Sequence, residues 1–259
     1  MSRPVLLIGC GRMGGAMANA WVRARPVIVH DPGAVLPADA TPLDRLDPDL
    51  IPDDVIVVLA VKPQSFGGLA AQLVPLARRG ALFVSIMAGH SLAGIGNALG
   101  TSRLVRAMPN LPATIRAGTT VAVATAEVDS NSRESVSSLF RALGSFHWVE
   151  NEDWLDVVTA VSGSGPAYFF RFTEALAHAA EAAGLPPGLA MTLARETLNG
   201  SALLTAHTQK SLTELREEVT SPGGTTAAAV ARMDHEDAID KLVSDTVAAA
   251  TARSLSLRT

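Results

Sequence analysis

Two short stretches of this chain hold residue types that could do chemistry. The first is Gly9-Cys10-Gly11-Arg12-Met13-Gly14, a G-x-G-x-x-G run. Glycines at this spacing permit a tight turn at Gly9, approach of a pyrophosphate to the backbone at Gly11, and close helix–strand packing at Gly14. The N–H groups opening the next helix then face an anion, favoured by the helix dipole. Asp31, 22 positions after Gly9, stands where an acid can bond both adenosine ribose hydroxyls and repel a 2′-phosphate. It can equally cap the turn before Pro32. The second stretch, Gly223-Gly224-Thr225-Thr226, offers successive N–H groups and two hydroxyls at a helix start: a carboxylate pocket or, more plainly, an N-cap. The six histidines (30, 90, 147, 178, 207 and 235) lack ligand spacing, so no metal site is expected. No Ser–His–Asp constellation is recognisable. Cys10, the lone cysteine, has no activating partner in sequence and reads as a small packed residue.

Positioning the first stretch requires a strand before it and a helix after it. Val5-Leu6-Leu7-Ile8 is a short continuous apolar run, as a buried parallel strand should be, and the alanine-rich residues 16–24 follow. Residues 27–29 predict a second strand, with His30 at its end. From 33 to 54 the chain is rich in Pro and Asp, and Leu43, Leu46 and Leu50 are spaced for one helical face. Residues 55–61 predict a central strand that runs out into Lys62-Pro63-Gln64. Ligands lie beyond the carboxyl ends of strands in open parallel sheets, so Lys62 is expected near cofactor phosphate or ribose. A helix is expected over 69–79, shortened or kinked at Pro75. A strand over 82–86 ends in Met87-Ala88-Gly89, whose small residues suit close approach of a ring such as nicotinamide, or simply a turn. Further strands are predicted at 103–110, 118–125 and 146–149, and a helix at 132–143 capped by Ser130 or Ser132. Strand and helix alternate, which makes this half a doubly wound α/β domain.

After Glu150 no convincing strand appears and alanine dominates. Val161-Ser162-Gly163-Ser164-Gly165-Pro166 reads as a turn feeding a long helix, with Pro166 at its first position and Gly184, Pro186 and Pro187 ending it. Helices follow over 188–207, from the capping-box pattern Ser211-Leu212-Thr213-Glu214, from Ala227, and over 235–255. They are apolar round much of their circumference, which points to helix contacts between chains. A length of 259 residues suggests two domains, 1–149 and 150–259. A net charge of −4, with few lysines, leaves no basic stripe for nucleic acid. No apolar run reaches the ~18 residues of a membrane span and no signal region is evident, so a cytoplasmic globule is expected. One cysteine excludes an internal disulfide and fits a reducing compartment.

Six motifs stand in the order of a known family. They are G-C-G-R-M-G (9–14), A-V-K-P-Q (60–64), R-A-M-P-N (106–110), V-S-G-S-G-P-A-Y (161–168), A-G-L-P (183–186) and V-T-S-P-G-G-T-T (219–226). Together they resemble pyrroline-5-carboxylate reductase over nearly the whole chain. The resemblance implies an N-terminal Rossmann-type doubly wound sheet followed by an all-α dimerisation domain, working as a homodimer and in some members as a decamer. It implies reduction of L-1-pyrroline-5-carboxylate to L-proline with NADH or NADPH. The nucleotide would be held by Gly9, Cys10, Gly11, Arg12, Met13, Gly14, Asp31, Ala60, Val61, Lys62, Pro63, Ala88, Gly89 and Asn110. Ser221 and the N–H groups of Gly223, Gly224, Thr225 and Thr226, from this chain or its partner, would hold the substrate carboxylate. Ser162, Gly163, Ser164 and Gly165 would line the pocket, and the Thr226 hydroxyl would bond the ring nitrogen. Two departures stand out: Asp31, where many members accept a 2′-phosphate, and Gln209, near which some carry an acid. Two other readings share the layout, a β-hydroxyacid dehydrogenase and a catalytically silent dinucleotide sensor. The first needs a lysine acid/base after the second-domain glycine turn, and the only lysines are Lys62, Lys210 and Lys241.

Overall fold

The computed structural model describes residues 3–258. They form two compact units, one of residues up to 164 together with 250–258, the other of residues 165–249. The expected boundary at 149/150 thus differs from the structural one. Residues 154–163 are helical, yet they pack on the sheet, with Leu155 fully buried among Met108, Val121 and Val123. Composition alone could not reveal that attachment.

The first unit is built on an eight-stranded sheet. Its strands are β1 (Val5–Ile8), β2 (Val27–His30), β3 (Thr41–Pro42), β4 (Ile56–Leu59), β5 (Leu82–Ser85), β6 (Leu104–Met108), β7 (Gly118–Ala124) and β8 (Gly144–Trp148). Their order is β3-β2-β1-β4-β5-β6-β7-β8, all neighbours parallel except the antiparallel pair β6–β7. Strands buried on both faces must be apolar at every position, and β1 and β4 are buried throughout. Alternate residues feed opposite layers. Val5 and Leu7 join Met17 and Trp21 of α1 (Arg12–Trp21) and Leu139 and Phe140 of α4 (Ser130–Arg141). Leu6 and Ile8 join Leu73 and Leu76 of α2 (Phe66–Arg78) and Ile95 and Leu99 of α3 (Leu92–Leu99). The indole N–H of Trp21 donates to the Leu139 carbonyl at 2.8 Å, tying α1 to α4.

Three local expectations change. Residues 33–54 form no α-helix: Leu43 is buried and Leu50 exposed, and prolines at 37, 42, 48 and 52 leave only β3 and a 3-10 turn, Pro48–Leu50. The helix α2 starts at Phe66 and continues through Pro75 to Arg78. The cap of α4 is Asp129, whose carboxylate accepts the Ser132 N–H at 2.8 Å, rather than Ser130 or Ser132.

Beyond the sheet, α5 (Trp154–Val158) runs directly into a π-helical turn, Thr159–Gly163. The second unit contains α6 (Gly165–Ala182), α7 (Pro187–Ala206), α8 (Leu212–Glu218), α9 (Thr225–Asp234) and most of α10 (Ala238–Ser256). Ala177 of α6 and Ala190 and Ala194 of α7 are buried, as expected where small side chains let two helices approach. Larger apolar residues face outward: Phe169, Phe172, Leu203 and Leu242 are more than half exposed. No described helix is long and apolar enough to cross a membrane.

Candidate active site

The carboxyl ends of β1, β2, β4 and β5 bring most of the expected nucleotide residues to one edge of the sheet. After β1 the backbone turns at Gly9, whose N–H donates to the His30 carbonyl at 3.0 Å. A Cβ on Gly9 would lie 2.7 Å from the Ala60 carbonyl oxygen, and one on Gly14 would lie 2.2 Å from that of Gly9. Both glycines are therefore demanded by the protein's own backbone. Gly11 differs. It is exposed, a Cβ there would meet nothing within 4 Å, and as N-cap of α1 it supplies no side-chain cap. Nothing in the fold explains its lack of a side chain, whereas a phosphate against uncapped helix N–H groups does. The donor set of this turn fits a dinucleotide pyrophosphate.

Asp31 makes the turn its sequence position allowed for and adds a contact that the sequence did not indicate. One carboxylate oxygen accepts the Gly33 N–H at 3.2 Å, an Asx turn, and the other accepts the Cys10 N–H at 2.7 Å. The acid at the end of β2 thus braces the glycine turn itself. Cys10 is buried, and its thiol is pushed up from its ordinary range, first by burial and then by the Asp31 charge. Arg12 is exposed and Met13 half-buried at the start of α1. Beyond β4, Ala60 and Val61 are half-buried and Lys62 is exposed, ahead of a 3-10 turn, Pro63–Ser65. Beyond β5, Ala88 is exposed and Gly89 buried. A histidine that the sequence reading left unassigned joins these two loops: His90 Nε2 lies 3.1 Å from the Pro63 carbonyl, and its ring packs edge-on against Phe66 at 5.3 Å.

Asn110 follows β6 and is buried. Its Nδ2 donates to the Ser162 carbonyl at 3.0 Å and its Oδ1 accepts the Thr119 N–H at 2.8 Å. Both ends of the amide thus hold the π-turn to the sheet. In that turn the Ser164 N–H donates to the Thr159 carbonyl, and the Ser162 hydroxyl donates to the Val158 carbonyl at 3.1 Å. The expected glycine-serine loop is thus helical with one extra residue per turn, a form that is rare and frequent at functional sites. An open cleft of ≈ 490 Å³ lies along α1, but it shares only Gly11 and Arg12 with these residues. The strand ends, rather than that cleft, gather the chemistry.

Within the second unit, Ser221-Pro222-Gly223-Gly224 closes a turn in which the Gly224 N–H donates to the Ser221 carbonyl at 3.0 Å. Proline second and a glycine at φ +73° third are the requirements of a type II turn. It delivers the chain to α9 with Gly224 as N-cap and no side-chain cap. Ser221, Gly223 and Thr225 are exposed and Thr226 half-buried. The first N–H groups of α9 thus carry no side-chain cap and lie beside the exposed Thr225 and the half-buried Thr226. Gly165, at the start of α6, is buried. Among the described residues no three His, Cys, Asp or Glu side chains gather as a metal site would need.

Comparison with known proteins matches the two halves of the chain to different family models. Residues 4–89 match the family model of coenzyme F420-dependent NADP oxidoreductases, and residues 152–257 match that of pyrroline-5-carboxylate reductase dimerisation. The chain is 36% identical to the pyrroline-5-carboxylate reductase of Pseudomonas aeruginosa, over 99% of this chain and 98% of that one. It is similar in structure to the pyrroline-5-carboxylate reductase of Coxiella burnetii (TM-score 0.91, 30% identity, all of both chains). The Plasmodium falciparum pyrroline carboxylate reductase with NADP bound is also similar (TM-score 0.84, 25% identity, all of both chains).

Proposed function

The chain belongs to the pyrroline-5-carboxylate reductase family, and from that premise we propose how its residues share the work. It is an NAD(P)H-dependent oxidoreductase that reduces L-1-pyrroline-5-carboxylate to L-proline, the closing step of proline synthesis. The observation that carries the nucleotide site is the contrast within one turn, Gly11 open to a ligand where Gly9 and Gly14 are closed by backbone. Gly11, Arg12 and Met13 would hold the pyrophosphate at the α1 N-terminus. Asp31 would take the adenosine ribose, Ala60, Val61, Lys62 and Pro63 the second ribose, and Ala88 and Gly89 the nicotinamide side. Asn110 serves that edge by fixing the loop after β6. Reduced nicotinamide, when bound, supplies the hydride.

The side chains have little bond-breaking to do. A protonated cyclic imine already has an electrophilic carbon, so holding it in place provides most of the acceleration. Ser221 and the N–H groups of Gly223, Gly224, Thr225 and Thr226 receive the carboxylate, and Ser162, Gly163, Ser164 and Gly165 border the pocket. The Thr226 hydroxyl bonds the ring nitrogen and orients it. A hydroxyacid dehydrogenase would need a general base at the start of α6, but Arg171 is the only basic residue in its first two turns and a guanidinium cannot deprotonate. A silent sensor would have no use for the uncapped N–H groups of α9.

The outward Phe169, Phe172, Leu203 and Leu242 support a homodimer as the working unit; a decamer as the larger assembly, the cytoplasm as its place and the lack of nucleic-acid and membrane partners belong to the same proposal. The test follows NADH and NADPH absorbance with pyrroline-5-carboxylate, and NAD with hydroxy acids. Nucleotide oxidation with proline formed in the first assay and no reaction in the second is the expected pair. Thr226→Ala should lower kcat/KM by roughly tenfold, the value of one hydrogen bond to a charged group, and Thr226→Ser should restore it. An unchanged kcat/KM in Thr226→Ala removes that residue's role.

A further inference from the structure

Near its end the chain returns to the sheet unit and encloses an acid that the reaction does not use. Asp156 of α5 is 1% exposed. One of its oxygens accepts the Ser254 hydroxyl at 2.6 Å, and the other pairs with the Arg258 guanidinium. A second nitrogen of Arg258 donates to Asp153 at 2.8 Å. Leu257 lies between these two anchors, its N–H donating to the Ser254 carbonyl at 3.1 Å. The Leu257 carbonyl in turn lies against Gly89: a Cβ there would stand 2.3 Å from its oxygen, and φ is +80°. The small size of Gly89, read from the sequence as room for a ring, is thus required by the chain's own backbone.

We propose that residues 254–258, anchored on Asp156, are a latch that positions the turn 87–90 for the nicotinamide end of the cofactor. The proposal rests on the reading of Ala88 and Gly89 given above. The turn is braced on two sides, by Leu257 behind Gly89 and by His90 on the Pro63 carbonyl. A backbone held at both ends has one geometry to offer a ligand, and a site gains affinity from that pre-ordering. Asp156, Ser254 and Arg258 are then positioning residues, acting through Gly89.

The test uses the full chain with Arg258→Met and, as a milder change, Ser254→Ala. Hydrogen exchange on the protein without nucleotide reads the amides of residues 88–90, and titration compares NADH with ADP-ribose, which lacks the nicotinamide. Loss of a charged hydrogen bond should speed exchange at the turn roughly tenfold. It should weaken NADH about fivefold while ADP-ribose affinity stays within about twofold, since a loosened turn is felt only at the end it touches. Arg258→Lys should recover part of both effects. Unchanged exchange at 88–90 in both variants overturns the latch. Equal weakening of NADH and ADP-ribose, or of neither, overturns its positioning role. A wild-type protein that fails to oxidise NADH or NADPH with the imine would instead defeat the functional reading, and the exchange result would still decide the latch.

Discussion

Asp31 holds the glycine turn through the Cys10 N–H, and in the proposed function its charge also opposes a 2′-phosphate on the adenosine ribose. Substitution can separate the two. Asp31→Asn keeps an acceptor for a backbone N–H but removes the charge that opposes a 2′-phosphate. Relief of about 1.4 kcal/mol of repulsion corresponds to a tenfold change. The ratio of kcat/KM for NADPH over NADH should therefore rise roughly tenfold, with little change in Tm; an unchanged ratio would place the 2′ position elsewhere. The glycines of the same turn divide as sharply. Gly14→Ala forces a Cβ to 2.2 Å from a carbonyl oxygen and should destabilise by about 1–3 kcal/mol, seen as a lower Tm. Gly11→Ala enters open space and should leave Tm within the effect of a poorer N-cap, about 1 kcal/mol, while raising the KM for nucleotide. Sequence spacing had singled out these glycines, but which of them answers to the fold and which to a ligand depends on neighbours such as Ala60.

At the scale of elements, helix starts show what a local pattern conveys and what it leaves open. The capping box at Ser211 and Glu214 forms as the motif requires, with both reciprocal hydrogen bonds present. The helix α4 starts at Ser130, two residues before the expected 132, because Asp129 rather than a serine beside it is the acceptor for the Ser132 N–H. That bond, first among the causes, holds the Asp129 carboxyl below its ordinary range. A folded pKa below the unfolded one means stability that is full above the unfolded value, ≈ 3.9, and is lost as pH falls through the folded value. The Tm gap between wild type and Asp129→Ala should hold steady above about pH 5 and close on acidification. A gap independent of pH down to pH 2 would refute the cap's charge. The π-turn at Thr159–Gly163 was not legible, since its extra residue is held by Asn110 from another strand end. Nor was the irregular 33–54 segment, where leucine spacing suggested a helix that its prolines do not permit.

For the whole molecule, the outward apolar face of the second unit is the largest unmet demand. Leu203 is 61% exposed in the single chain, so Leu203→Glu should leave the chain's own fold intact. In a symmetric pair each substitution acts twice. Losing about 1.5 kcal/mol per leucine weakens association roughly a hundredfold. Light scattering should then show the one-chain mass at concentrations where wild type shows at least two, and the concentration dependence of Tm seen in wild type should be lost. A wild-type mass of one chain would overturn the dimer. Apolar runs, glycine spacing and helix punctuation were enough, read along the chain, to indicate a doubly wound sheet, a helical second half, and a nucleotide turn with a late glycine–threonine turn. Each of those signals is local: a buried strand must be apolar, and a tight turn needs glycine, whatever lies beside it. Tertiary structure alone decided the reversal at β7, the attachment of residues 150–164 to the sheet, the brace from Asp31 to Cys10, and the closure of residues 254–258 on Asp156 and Gly89. Those features join residues from 13 to more than 100 positions apart, and only packing chooses such partners.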